Sequence, residues 1–90
     1  MALHVLLVDD SRVMRKLVER SLIHSGVEVA LTLEAGDGLE ALGVLRGSRV
    51  DLVLCDWNMP VMDGLEFVLE ARKTHGTPII MLTAESGGRS

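Results

Sequence analysis

Four apolar runs divide the chain, and helical spacing fills the stretches between them. Leu3 to Val8 is nearly continuous in apolar residues, as expected of a strand covered on both faces. From Ser11 to about Ser25 the rhythm is helical. Val13, Met14, Leu17, Val18, Leu22 and the flanking Ile23 recur near 3.6-residue spacing, and Arg12, Arg15, Lys16, Glu19 and Arg20 take the wet side. Asp10 or Ser11 suits the N-cap of this helix, and Gly26 suits its end. Residues 27–33 predict an outer strand, because Glu28 and Thr32 interrupt its apolar character. Gly36-Asp37-Gly38 reads as a turn, and Leu39 to Arg46 as a short helix with Ala41, Leu42 and Leu45 inward, ending near Gly47. Residues 50–55 predict a third strand. Gly64 to about His75 predicts a third helix that buries Leu65, Phe67 or Val68, Leu69 and Ala71 and stops at Gly76. Residues 78–83 predict the fourth strand.

The order βαβαβαβ implies an α/β domain with a doubly wound parallel sheet, since parallel strands need crossover helices and these cover both faces. Three of the apolar runs end in polar residues. The first stops at Asp9-Asp10. The third delivers Asp56 into the loop Trp57-Asn58-Met59-Pro60, and the fourth stops at Thr83. In a parallel sheet these endings share one edge, where open α/β sheets place their sites.

The chain has 90 residues, the size of one small domain, and its 48% apolar content is enough for a core. Phe67 and Trp57 are its only aromatics, so Leu, Val, Ile, Ala and Met must build that core. A net charge of −4 offers no basic patch, which argues against nucleic-acid binding by this segment. The single cysteine, Cys55, lies inside an apolar run and is expected to pack as a small hydrophobe in a reducing compartment. No apolar run approaches the ~18 residues of a membrane span. The N-terminus lacks the basic segment of a signal peptide. A cytoplasmic location is the expectation.

Asp9, Asp10 and Asp56 would repel one another by about 4 kcal/mol per pair at 4 Å and an effective dielectric of 20. A fold tolerates such a cost when a cation offsets it or when the carboxyl pKa values rise. Carboxylates with a loop carbonyl and waters suit Mg²⁺, which prefers hard oxygen ligands. A phosphoryl group fits beside that ion, with a carboxylate oxygen as nucleophile and the Thr83 hydroxyl in reach. Taken singly, each residue has a plainer reading: Asp10 as a helix cap, Asp9 as a solvated strand end, Thr83 as a β-branched strand residue. Their coincidence at three strand ends favours a site. Asp51 and Asp63 read as structural, and Met59 and Met62 as cover for the core. His4, His24 and His75 share no metal-ligand spacing.

The segments Val8-Asp9-Asp10-Ser11, Leu54-Cys55-Asp56-Trp57-Asn58-Met59-Pro60-Val61-Met62-Asp63-Gly64 and Met81-Leu82-Thr83-Ala84-Glu85 together resemble a response-regulator receiver domain of the chemotaxis type. Ala35-Gly36-Asp37-Gly38-Leu39-Glu40-Ala41-Leu42 is similar to the second βα turn of that family. The resemblance covers essentially the whole chain and implies a flavodoxin-like sheet in the order 2-1-3-4. It implies that Asp56 accepts a phosphoryl group from a histidine kinase or phosphotransfer protein. Asp10, Asp56 and the Asn58 main-chain carbonyl would bind Mg²⁺, and Asp9 would assist through a water. Thr83 would shift toward the phosphoryl group, with Ala84 leaving space beside it. Asn58 and Glu85 stand where the family adjusts the lifetime of the phosphorylated state. Such a protein is a switch that signals to an output protein or domain, rather than a turnover enzyme.

The same resemblance implies that a complete receiver continues through a further helix, a fifth strand ending in a Lys-Pro pair and a final helix. Residues 1–90 would then be a receiver without its C-terminal quarter. On that reading Ile79, Ile80, Met81 and Leu82 form an exposed apolar edge, a template for self-association. The alternative function is therefore an interaction or assembly unit without efficient phosphoryl transfer. A metal-dependent phosphatase is weaker, because Asp9-Asp10-Ser11-Arg12 lacks a second carboxylate two residues after the first nucleophile candidate.

Overall fold

The computed structural model describes residues 2–82. Within them the chain runs β1 (Leu3–Val8), α1 (Arg12–His24), β2 (Val29–Ala35), α2 (Gly38–Gly47), β3 (Leu52–Asp56), α3 (Gly64–Arg72) and β4 (Ile79–Leu82). The four strands are parallel and lie in the order β2-β1-β3-β4. The alternation of strands and helices predicts the parallel sheet, and the family resemblance implies this flavodoxin-like strand order. Central β1 is apolar on both faces because both are covered, and Val5, Leu6, Leu7 and Val8 are all buried.

The two faces are packed unequally. On one, α2 and α3 lay Ala41, Leu42, Leu45, Phe67 and Ala71 over Leu6, Val8, Ala35, Val53 and Cys55. On the other, α1 leans Val18 and Leu22 on a smaller cluster of Val5, Leu7 and Leu54. No residue of α1 is buried, although its spacing predicts an apolar face. Val13, Leu17 and Ile23 of that face are exposed. One helix touches the sheet along a line, so only residues on that line reach it.

Other expectations shift in detail. β2 begins two residues later than its composition suggests, and α3 ends at Arg72 rather than His75. α3 buries Phe67 and Ala71 but leaves Leu65 and Leu69 exposed. The sheet accepts one narrow stripe of this short helix, and Leu65 and Leu69 stand off it. β4 is an edge strand of the described sheet, as expected, but of its side chains only Ile80 is exposed; Ile79 and Met81 pack toward the α2–α3 cluster and Leu82 toward that of α1.

Capping explains where the helices start. Ser11 Oγ accepts the Met14 N–H at 3.2 Å, so Ser11 rather than Asp10 caps α1. Asp37 caps α2 by accepting the Glu40 N–H at 2.8 Å. Asp63 and Glu66 form a reciprocal capping box at α3, with bonds of 2.9 and 3.0 Å. Asp51 accepts the His4 N–H at 2.8 Å and so ties the start of β3 to β1. Asp51 and Asp63 are structural, as their positions suggest.

Candidate functional site

The register aligns the C-terminal ends of the strands. Val8 lies opposite Ala35 on one side and Cys55 on the other, and Asp56 lies opposite Leu82. Asp9 and Asp10 therefore leave β1 beside the point where β3 ends in Asp56. Carboxylate oxygens of Asp9, Asp10 and Asp56 all lie within 4.8 Å of one another. Among the described residues, this cluster is the one that brings three metal-ligating side chains together. Asp10 is exposed, while Asp9 and Asp56 are partly buried, so the cluster opens outward.

Each carboxylate is set by its backbone. Asp9 donates its N–H to the Ala35 carbonyl at 3.1 Å, which extends the β1–β2 ladder by one residue. Its Oδ1 accepts the Ser11 N–H at 2.9 Å. Asp10, relieved of capping by Ser11, faces an open cleft shared with Asn58, Met59, Pro60 and Asp63. Burial pushes the Asp9 carboxyl above its usual range. The Asp56 and Asp10 charges push the same way, against the Ser11 N–H. The pocket thus stores like-charge repulsion that a divalent cation would relieve, and an all-oxygen donor set open to water suits Mg²⁺. Asp10 and Asp56 are the carboxylates that would hold it, with Asn58 on the wall of the same cleft.

The loop after Asp56 is shaped by close contacts. Gly64 donates its N–H to the Trp57 carbonyl at 2.9 Å, and a Cβ there would run into the Asp56 carbonyl oxygen and lie 2.9 Å from Trp57 Cα, both of them backbone. Only glycine lets α3 begin so near the end of β3. Met62 donates its N–H to the Pro60 carbonyl at 2.6 Å, and this tight turn places Val61 at φ +68°. Cys55 sits behind the site, and burial pushes its thiol up to about 12, with the Asp56 and Asp9 charges adding to the shift. That thiol is protonated and inert at neutral pH, as its apolar setting suggests.

Thr83, Ala84 and Glu85 lie outside the described residues. One contributor has no local mark in the sequence. Arg15 has the same appearance as Arg12, Lys16 and Arg20 on the wet side of α1, yet it reaches back to the Asp9 carbonyl. Its partner Glu34 is equally plain within an outer strand. Among the described residues no helix is long and apolar enough to cross a membrane.

Comparison with known proteins agrees with this geometry. The sequence pattern of the family described as the response regulator receiver domain matches residues 5–89. A chemotaxis protein CheY homolog of Campylobacter jejuni is 41% identical over 87 residues, covering 92% of this chain and 65% of that protein. The chain thus spans just under two thirds of that relative. The chemotaxis response regulator CheY4 of Vibrio cholerae superposes with a TM-score of 0.79 at 42% identity, over 96% of this chain and 72% of its own. The response regulator TrrA of Thermotoga maritima, solved in complex with Mg²⁺ and BeF, superposes with a TM-score of 0.81 at 38% identity, over 99% of this chain and 75% of its own.

Proposed function

The chain belongs to the response-regulator receiver domain family, and on that premise we propose that it accepts a phosphoryl group on Asp56 and uses it as a conformational signal. The donor is the phosphohistidine of a histidine kinase or phosphotransfer protein. An Asp56 carboxylate oxygen attacks phosphorus, the P–O bond forms as the P–N bond breaks, and the donor imidazole leaves with a proton from solvent. Asp10, Asp56 and the Asn58 carbonyl would hold Mg²⁺, and Asp9 would assist through a water. The bound ion supplies charge neutralisation for the incoming phosphoryl oxygens. Thr83 contributes its hydroxyl to the phosphorylated state, with Ala84 and Glu85 beside it. The chain is a phosphoacceptor in the cytoplasm rather than a turnover enzyme, and a chemotaxis-type output protein or domain reads its state.

The observation that carries this reading is the meeting of three carboxylates within 4.8 Å at the ends of β1 and β3. The Mg²⁺ and BeF bound by the Thermotoga maritima relative support it. The family match over residues 5–89 favours a receiver over an assembly unit.

The test is exposure to a small phosphodonor with Mg²⁺, read by intact mass. One phosphate should be added to the unaltered chain and none to Asp56→Asn. Equal labelling of that variant would remove Asp56 from the role. Labelling that persists in chelator would remove the metal.

A further inference from the structure

Arg15 stands in the first turns of α1, yet its side chain is only 14% exposed. Nη1 donates to the Asp9 carbonyl at 2.5 Å, and Nε donates to Glu34 Oε1 at 2.6 Å. A guanidinium is planar, always charged and offers donors in fixed directions, so two such bonds set its orientation. Glu34 precedes Ala35, whose carbonyl takes the Asp9 N–H. Asp9 is therefore held at three points: its N–H by β2, its carbonyl by Arg15 and its carboxylate by Ser11. Lys16 Nζ lies 3.6 Å from the other Glu34 oxygen and 3.7 Å from Glu19 Oε1, and Glu19 accepts the Thr32 hydroxyl at 2.7 Å. The first half of α1 is thus tied to β2 through a chain of charge-assisted bonds.

This tie bears on the pocket. Three carboxylates lie within 4.8 Å of one another, and like-charge repulsion at that range opposes keeping the β1–α1 loop beside β3 when no cation lies between them. We propose that Arg15 is a positioning residue for the acidic pocket: oriented by Glu34, it clamps the Asp9 carbonyl and holds the β1–α1 loop so that Asp9 and Asp10 stay beside Asp56, preorganised for a divalent cation. The inference deepens the proposed function and rests on its metal reading.

Direction separates this role from a simple field effect. A positive group beside an acidic pocket repels a cation, so Arg15 acting through charge alone opposes Mg²⁺ binding. Its removal would then tighten binding. Removal of a clamp weakens it, because the loop must be re-collected for each binding event. Loss of a partner that orients ligands typically weakens metal affinity by roughly 10- to 100-fold.

The experiment uses the intact chain and two readouts. Mg²⁺ titrations are followed by the fluorescence of Trp57, the residue after Asp56, and amide hydrogen exchange across residues 9–11 is measured without metal. Arg15→Met keeps the stem and removes both bonds. It should raise the Mg²⁺ dissociation constant about tenfold and speed exchange at residues 9–11. Glu34→Ala should shift both readouts in the same direction, and the double variant should add little further, as expected for residues acting as one unit. Arg15→Lys keeps the charge but not the two-point reach, and should fall between Arg15→Met and the unaltered chain. Unchanged or tighter Mg²⁺ binding with unchanged exchange overturns the proposal. So does reduced unfolding stability with an unaltered dissociation constant, which marks Arg15 as a purely structural tie. If Arg15→Met does not fold, Glu34→Ala decides by amide exchange at residues 9–11 alone, because loss of its own negative charge weakens Mg²⁺ binding by field as well. An unaltered chain that gives no saturable Mg²⁺ response sinks the metal reading; unchanged exchange in Arg15→Met sinks the clamp.

Discussion

Gly38 donates its N–H to the Met62 carbonyl at 3.1 Å, so the first residue of α2 is joined to the loop that follows Asp56. A Cβ at position 38 would lie 2.8 Å from Met62 Cγ and 2.9 Å from both Met62 O and Phe67 Cβ. Two of these three neighbours are backbone or the root of a fully buried ring, so they yield little. Gly38→Ala should therefore cost about 1–3 kcal/mol, the usual penalty for overpacking. A helix-propensity gain of at most about 1 kcal/mol opposes it. Urea unfolding checks the magnitude, and the Trp57 spectrum checks whether the loop has moved.

Val61 is the one non-glycine residue with positive φ among those described, and it is 76% exposed. A β-branched side chain in that region is strained by about 1–3 kcal/mol, and here it recovers little by burial. Val61→Gly should raise stability by about 1 kcal/mol, after part of the relief is lost to the freer unfolded chain. A lower urea midpoint in that variant would mean that the turn is not under strain.

Phe67 is 0% exposed and joins α3 to the α2 side of the sheet, whereas Leu65 and Leu69 are 50% and 59% exposed. Phe67→Ala should cost about 3–5 kcal/mol, a large part of the total stability of a small domain. Leu65→Ala and Leu69→Ala should stay within about 0.5 kcal/mol. Equal losses at all three positions would show that α3 is rotated from the orientation described.

Asp51 accepts the His4 N–H and faces Arg49 Nε at 3.3 Å. The His4 N–H first, and the Arg49 charge after it, hold its carboxyl below the usual range. The sign follows from linkage. A group whose folded value lies below its unfolded value, about 4 for Asp, contributes stability above that unfolded value. The contribution is lost as pH falls through the folded value. Asp51→Asn should be less stable than the unaltered chain at neutral pH, and the gap should narrow in acid. A gap that is independent of pH would assign the Asp51 effect to shape rather than charge.

Cys55 is fully buried, its thiol is pushed up to about 12, and its Sγ donates to the Asp56 carbonyl at 3.3 Å. Alkylation at neutral pH should be slow in the native chain and should accelerate with urea in step with unfolding. Rapid native labelling would mean that β3 opens locally at the site.

Much of the fold was legible locally. The Leu3–Val8 run is apolar on both faces because it becomes the central strand, and the composition of such a strand records its burial. The alternation of strands and helices implied parallel pairing, and parallel pairing placed Asp9, Asp10 and Asp56 at one edge before any distance was known. These features depend on residue type and order, which the sequence carries directly. Tertiary structure decided which of several equivalent residues does a given task. Ser11 caps α1 and leaves Asp10 to the pocket, although either side chain can cap a helix. Phe67 and Ala71 meet the sheet while Leu65 and Leu69 do not, because the seating of a short helix depends on the surface it lands on. Arg15 and Glu34 bind the β1–α1 loop to β2 across nineteen residues of sequence, and nothing near either residue announces the other. Local preference acts over a few residues, whereas a contact between α1 and β2 exists only once the strands have paired.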